Sequence, residues 1–151
     1  MPDVSVAFES PTNPDLTTMH DARIAFSFEG YDPADCFTPP VSALANPDMR
    51  FRVARVEGAV AGMAALRLDD GWGEVKAVFT DPAMRGKGVA RALMDELEKV
   101  ARAEGLSRLR LETGNLHKDA LVFYPRLGWT EIPRFDPYPE NETSIFFEKV
   151  L

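Results

Sequence analysis

The sequence predicts an α+β fold, a single mixed sheet with helices on its faces, and three observations predict it. Apolar residues alternate with polar ones in short runs at 4–8, 51–56, 60–68, 73–80, 109–111 and 144–148, the mark of half-buried strands. Between the fourth and fifth runs the period lengthens to 3.6 residues over Val89–Val100, the mark of an amphipathic helix. The resulting order is neither a strict βαβ alternation nor an all-β chain. A crossover as long as that helix joins parallel strands, so the fourth and fifth strands are expected to pair in parallel.

Each element has its own signal. Val4, Val6 and Phe8 alternate with Ser5, Ala7 and Glu9 up to the Ser10-Pro11 turn. From Pro11 to Pro47 there are six prolines and only partial helical spacing, which predicts one or two short helices within long connections. Phe51–Val56 and Val60–Leu68 flank Glu57-Gly58 as a tight hairpin, and Asp69-Asp70-Gly71 turns the chain into Gly73–Thr80, completing a three-stranded meander. Val89, Leu93, Leu97 and Val100 form the apolar stripe of the long helix, with Asp95–Lys99 and Glu98–Arg102 as exposed pairs and Gly105 as a left-handed cap. Leu109 and Leu111 mark the fifth strand, Asp119–Leu127 a shorter helix ended by Gly128, and Ser144–Glu148 the last strand. No internal repeat interrupts this plan, so residues 1–151 read as one domain.

Composition narrows the function. With 45% hydrophobic residues the chain can bury a core, and its net charge of −7 opposes any nonspecific grip on nucleic acid or an anionic membrane. A phosphate site must therefore be local. The one cysteine, Cys36, cannot form an internal disulfide, has no base beside it and provides no zinc spacing; no metal site is expected. Residues 1–10 carry Asp3 and Glu9 without a basic start and apolar stretch, so no signal peptide is expected. No run reaches membrane-spanning length, and a cytoplasmic protein is expected.

The stretch with chemistry in it is Arg85-Gly86-Lys87-Gly88-Val89-Ala90-Arg91, between a strand and a helix. A helix begins with backbone N–H groups that lack intrahelical partners and with the positive end of its dipole. Gly86 and Gly88 clear side chains from the approach and permit left-handed backbone, so several N–H groups can converge on an anion, while Arg85, Lys87 and Arg91 add charge. The loop is not a nucleoside-triphosphate loop, because Gly88 rather than Ser or Thr follows Lys87. Nor is it a dinucleotide fingerprint, because Arg91 occupies a position that needs Gly or Ala.

The segment 85–90 fits the pattern Arg/Gln-x-x-Gly-x-Gly/Ala, and it resembles the pyrophosphate loop of the GNAT superfamily of acetyl-CoA-dependent N-acyltransferases. "EVKAVFTDPAMRGKGVARALMDELEKVARAEG" resembles that family's fourth strand, loop and third helix, and "LRLETGNLHKDALVFYPRLGW" its fifth strand and following helix. The resemblance is clear from Met49 to Leu151 and thin before. It implies a mostly antiparallel sheet splayed between strands four and five, with acetyl-CoA in the wedge. The pantetheine arm is then expected along Ala77, Val78 and Phe79, and the pyrophosphate on Arg85, Gly86, Lys87, Gly88, Val89 and Ala90, with Arg91 close by.

The same resemblance implies roles in acetyl transfer to an amine. An alkylamine with a pKa of about 10.4 is charged at neutral pH, so a base must help remove its proton. Glu74, eleven positions before Arg85, stands where some members carry that base; otherwise it pairs with a cross-strand cation. Tyr124 matches the tyrosine that protonates the departing thiolate, although its apolar neighbours equally suit a packing residue. His117 stands where many members have an asparagine touching the cofactor; it either keeps a hydrogen bond there or is a solvated helix-start residue. Backbone N–H groups near Val78 and Phe79 are the expected oxyanion donors. His20 reads as structural or exposed, and Trp72 and Trp129 as edge packing.

The acceptor is expected to meet residues 11–47 and the loop "PRFDPYPENETS", whose acidic residues point weakly to a cationic amine. Homodimers are common among members, and these residues do not decide the matter. The competing readings are a noncatalytic acyl-CoA-binding module and a nucleotide-binding protein; Val89 and Arg91 argue against the second.

Overall fold

The computed structural model describes residues 3–151, so the first two positions of the 1–10 stretch lie outside the described residues. Seven strands form one sheet in the order β1-β2-β3-β4-β5-β7-β6. They are β1 (Val4–Ala7), β2 (Met49–Val56), β3 (Ala59–Leu68), β4 (Trp72–Thr80), β5 (Arg108–Gly114), β6 (Thr130–Ile132) and β7 (Ser144–Val150). Every neighbouring pair is antiparallel except β4 with β5, which is parallel as the long crossover requires. The hairpin turn between β2 and β3 takes Glu57 at φ 51° and Gly58 at φ 82°, the doubly left-handed geometry that matches the twist of the flanking strands.

Four helices pack on the sheet: α1 (Thr17–Phe28), α2 (Val41–Leu44), α3 (Val89–Ala103) and α4 (Lys118–Arg126). Helices α3 and α4 cover one face. Leu93, Met94 and Leu97 from α3 and Tyr124 from α4 bury there with Leu66, Val75, Leu109 and Phe147. Helix α3 ends as expected, with Gly105 at φ 79° and Leu106 N donating to Ala101 O at 2.9 Å. Its Glu98–Arg102 pair forms at 3.6 Å, but Glu98 is buried and also takes Lys149 from β7 at 2.9 Å.

The other face carries α1 and α2, where Leu16, Met19 and Leu44 pack on Phe51, Val53, Met63 and Phe79. In the proline-rich segment the structure corrects the expectation of short helices only: α1 runs for twelve residues. Its spacing is hard to read because two of its inward positions are the polar residues His20 and Arg23. His20 is structural, hydrogen-bonded through Nε2 to Pro11 O at 2.9 Å and stacked on Phe51.

The parallel ladder is short. Trp72, Gly73 and Glu74 pair with Arg108, Leu109 and Arg110, yet β4 continues to Thr80 and β5 to Gly114. Beyond Glu74 and Arg110 the two strands part. Within the unpaired stretch β4 carries a bulge: Ala65 faces Lys76 but Met63 faces Phe79, so Ala77 and Val78 together oppose Ala64. Ala77 takes φ 56° to make that bulge, a conformation unusual for a residue other than glycine.

A candidate active site between the parted strands

The gap between β4 and β5 is a cleft of about 720 Å³, within the size range of small-molecule sites. Its floor is the bulged stretch Val75–Thr80, its far wall runs from Leu111 to Gly114, and helix α4 and the start of α3 frame its mouth. Helix α1, the loop after it and Tyr138 from the β6–β7 connection close the remaining side.

At the mouth, a turn capped by Asp81, whose side chain accepts from Ala83 N at 2.9 Å, delivers the chain into the glycine loop. Gly86 and Gly88 both take φ 77°, and a Cβ built on either would meet nothing within 4 Å. The space a side chain would fill is open. The first hydrogen bond of α3 is Ala92 N to Gly88 O, at 3.0 Å, and Arg85 N donates to Pro82 O at 3.5 Å, so the N–H groups from Gly86 to Arg91 are available to an anion. Arg85, Gly86, Gly88, Val89, Ala90 and Arg91 all line the cleft, as do Ala77, Val78 and Phe79; Lys87 does not. Five cations line it (Arg23, Lys76, Arg85, Arg91 and Lys118) against three acids (Asp35, Glu112 and Asp119), so a chain of net −7 presents a basic cleft. The Arg85–Asp119 pair, at 3.5 Å and exposed, leaves Arg85 nearly free. This geometry fits a diphosphate.

His117 lines the cleft but is not the solvated residue considered from sequence. Its ring stacks on Tyr31 with centroids 5.2 Å apart, meets Phe26 edge-on at 4.8 Å, and burial lowers its pKa. Tyr31 in turn accepts a hydrogen bond from Leu116 N at 2.7 Å and lies so close to Gly114 that no side chain would fit there. The end of α1 is thereby fastened to the start of α4.

Tyr124 is 5% exposed, reaches the cleft, and has no hydrogen-bond partner among the described residues. Burial pushes its phenol far above the ordinary range, so it stays protonated at neutral pH. Glu74 is 2% exposed and is not on the cleft wall. Arg67, its partner in the ladder, donates to one oxygen at 3.0 Å; Lys76 at 3.4 Å and the Tyr138 hydroxyl donate to the other. The cross-strand pairing considered from sequence is therefore present, and the Tyr138 hydroxyl stands between Glu74 and the cleft.

Three residues of the site had no role in the sequence reading. Glu112 lies on the cleft wall from β5, accepts from Ser144 Oγ, and burial raises its pKa above the usual carboxylate value. Its signal was the alternation of β5, which places it on the face opposite Leu109 and Leu111. Lys76 donates to the Tyr138 hydroxyl at 2.9 Å. Tyr138 is packed by Phe37, Phe135 and Phe146, and burial first, then Glu74, drives its pKa far upward. Trp72 packs at the opposite end of the parallel ladder, under Arg110 at 4.7 Å and against Phe135, and lines no part of the cleft.

Comparison with known proteins gives the family and the fold. Residues 15–129 match the model of the acetyltransferase (GNAT) family. Over the full length of both chains, the sequence is 36% identical to an IAA acetyltransferase of Azospirillum brasilense. A Klebsiella pneumoniae structure assigned as an acyl-CoA N-acyltransferase superposes with a TM-score of 0.82 at 29% identity, covering 98% of this chain and 97% of that one. The fold is also that of the PaiA N-acetyltransferase of Thermoplasma acidophilum in complex with coenzyme A, with a TM-score of 0.75, 17% identity and 99% of each chain covered. No helix among the described residues is long and apolar enough to cross a membrane, and no cluster of His, Cys, Asp and Glu among them is arranged to hold a metal ion.

Proposed function

This chain belongs to the GNAT family of acetyltransferases, and from that premise we propose that its cleft binds acetyl-CoA and transfers the acetyl group to the primary amine of a small molecule or peptide by direct attack in a ternary complex. The observation that carries the reading is the parting of β4 and β5 beyond Glu74 and Arg110, directly beside the open glycine loop of α3. The donor supplies a thioester carbonyl; the chain supplies everything else.

The main-chain N–H groups of Gly86, Gly88, Val89 and Ala90, with the side chains of Arg85 and Arg91, hold the diphosphate at the positive end of α3. Ala77, Val78 and Phe79 border the pantetheine arm, and main-chain N–H groups near Val78 and Phe79, in the bulged stretch, stabilise the oxygen on which negative charge develops. Tyr124 gives its phenolic proton to the departing sulfur, for which burial keeps it protonated until needed.

Glu112 takes the amine proton. It lines the cleft, and a carboxylate whose pKa is raised toward neutrality is a stronger base than an ordinary one. A second route is favoured by the Tyr138 contact: the amine proton passes to the Tyr138 oxygen while the Tyr138 proton passes to Glu74. In that route Glu74 is the base at one remove. His117 and Tyr31 shape the wall beside α4.

The test is thiol release from acetyl-CoA against a broad panel of amines, with the IAA of the Azospirillum relative's name as a separate arm. Turnover with amines supports the reading. Turnover with IAA alone contradicts it, and tight coenzyme A binding with silence across the panel leaves a noncatalytic acyl-CoA-binding module.

A further inference from the structure

Arg23, on α1, lines the cleft on the side away from the glycine loop and is 2% exposed. Among the described residues no carboxylate lies within ion-pairing distance of it. Its Nη1 donates to Thr38 Oγ1 at 2.6 Å and to Pro39 O at 2.8 Å. Its Nη2 lies 3.3 Å from His20 Nδ1. His20 Nε2 is bonded to the Pro11 carbonyl, which can only accept, so Nε2 carries the ring proton and Nδ1 accepts from Arg23. Nε is buried with no partner among the described residues.

A guanidinium has five N–H donors, and these contacts use three. Tying the 36–40 loop to α1 explains two of them and the third stays within α1, but all three acceptors are neutral. The positive charge is uncompensated, and a buried cation without a counter-charge is costly to fold around. Burial lowers the Arg23 pKa to about 10, which still leaves the group charged at neutral pH. The free donors are the Nε–H and one Nη2–H. One edge of a guanidinium carries such a pair, and a carboxylate accepts from it with two parallel bonds.

We infer that Arg23 is the anion-binding group of the acceptor pocket and that the acceptor is an amino carboxylic acid, its carboxylate on Arg23 and its amine toward Glu112. The inference rests on the acetyl-transfer reading above. Arg23 is separate from the diphosphate site, which has Arg85, Arg91 and the α3 amides, so its charge is left for the second substrate. The aromatic rings of Phe26 and Phe37 beside it on the wall suit a carbon chain between the two charged ends of such a molecule. The acidic loops point weakly to a cationic amine, with nothing to say of a carboxylate. Of their acids, only Asp35 reaches the cleft.

The test is a matched panel: common α-amino acids, β-alanine and γ-aminobutyrate, each beside its amide, its methyl ester, the amine lacking the carboxylate, and the phosphonate analogue. Thiol release gives kcat/KM, and thermal stabilisation of the coenzyme A complex gives binding. In the wild-type protein the best carboxylate should exceed its ester and decarboxylated amine by about 100-fold or more. Arg23→Gln should lower turnover of the carboxylate far more than that of the ester and so close the gap between them, and Arg23→Lys should keep part of the preference.

Because Arg23 also holds the 36–40 loop, the wild-type preference stands as a measurement that needs no variant. Equal turnover of acid and ester, a preference for phosphonate, or an Arg23→Gln protein that keeps the full carboxylate preference overturns the inference. Carboxylate-dependent stabilisation without thiol release contradicts the acetyl-transfer reading and leaves Arg23 as an anion site. Turnover without carboxylate preference does the reverse.

Discussion

The hydroxyl of Tyr138 donates to the carboxylate of Glu74 across 64 positions of sequence, joining the β6–β7 connection to β4 just before the floor of the cleft. Arg67 and Lys76 converge on the same carboxylate. Removing it leaves two partly buried cations and a phenol without their acceptor. Glu74→Ala should cost roughly 2–3 kcal/mol of stability, below the figure for a fully buried pair because Arg67 and Lys76 keep some contact with water. The check is a urea midpoint, and an unchanged midpoint would show that the network contributes nothing.

Glu112 should behave in the opposite way. Its raised pKa means that the folded state holds the proton more tightly than the unfolded chain. Between the ordinary carboxylate pKa and the raised one, the folded state binds more protons, so stability falls as pH rises through that window. Glu112→Gln removes this cost and should melt no lower than wild type at pH 7, with the advantage fading toward the ordinary carboxylate range. Its kcat should nevertheless fall by about 100-fold, and the acid limb of the pH–rate profile should disappear. Should Glu74→Gln abolish that limb and Glu112→Gln leave it, the proton takes the route through Tyr138.

Tyr124→Phe deletes one oxygen from a buried phenol that has no hydrogen-bond partner among the described residues. Stability should change by less than about 1 kcal/mol, since no hydrogen bond is lost. If the phenol protonates the leaving thiolate, kcat should fall by on the order of 100-fold while coenzyme A affinity holds. Equal kcat for the two proteins would reduce Tyr124 to packing.

Gly88→Ala places a methyl group in open space with the backbone still at φ 77°. The left-handed conformation costs about 1–2 kcal/mol for a residue with a Cβ, and no steric clash adds to it. The fold should persist, yet calorimetry should show coenzyme A binding at least about tenfold weaker, because the methyl group occupies the diphosphate's approach. Gly86→Ala tests the neighbouring position in the same way.

Where one physical signal dominated, the sequence was readable. The stripe of Val89, Leu93 and Leu97 and the cap at Gly105 define α3, and the parallel β4–β5 pair follows from its length. Helix α1 was missed as a full element because His20 and Arg23 turn a polar side inward, which erases the apolar period. Strand β6 has only three residues, Thr130–Ile132, too few to show alternation, and it exists because β7 offers an edge. The glycine loop was legible because its chemistry is local to seven residues. Glu112 was hidden by its own regularity: the polar positions of a half-buried strand ordinarily face water, and here that face is the cleft wall. Tyr138 lies in an aperiodic stretch, and only the tertiary fold brings it to Glu74.

The central claim is that the wedge between β4 and β5 holds acetyl-CoA with its diphosphate on the amides that open α3. A crystal structure with coenzyme A tests it most directly. The account predicts diphosphate oxygens within hydrogen-bonding distance of the main-chain nitrogens of Gly86, Gly88, Val89 and Ala90 and the thiol beside Tyr124. Coenzyme A bound anywhere else, or that loop turned away from the diphosphate, would contradict it.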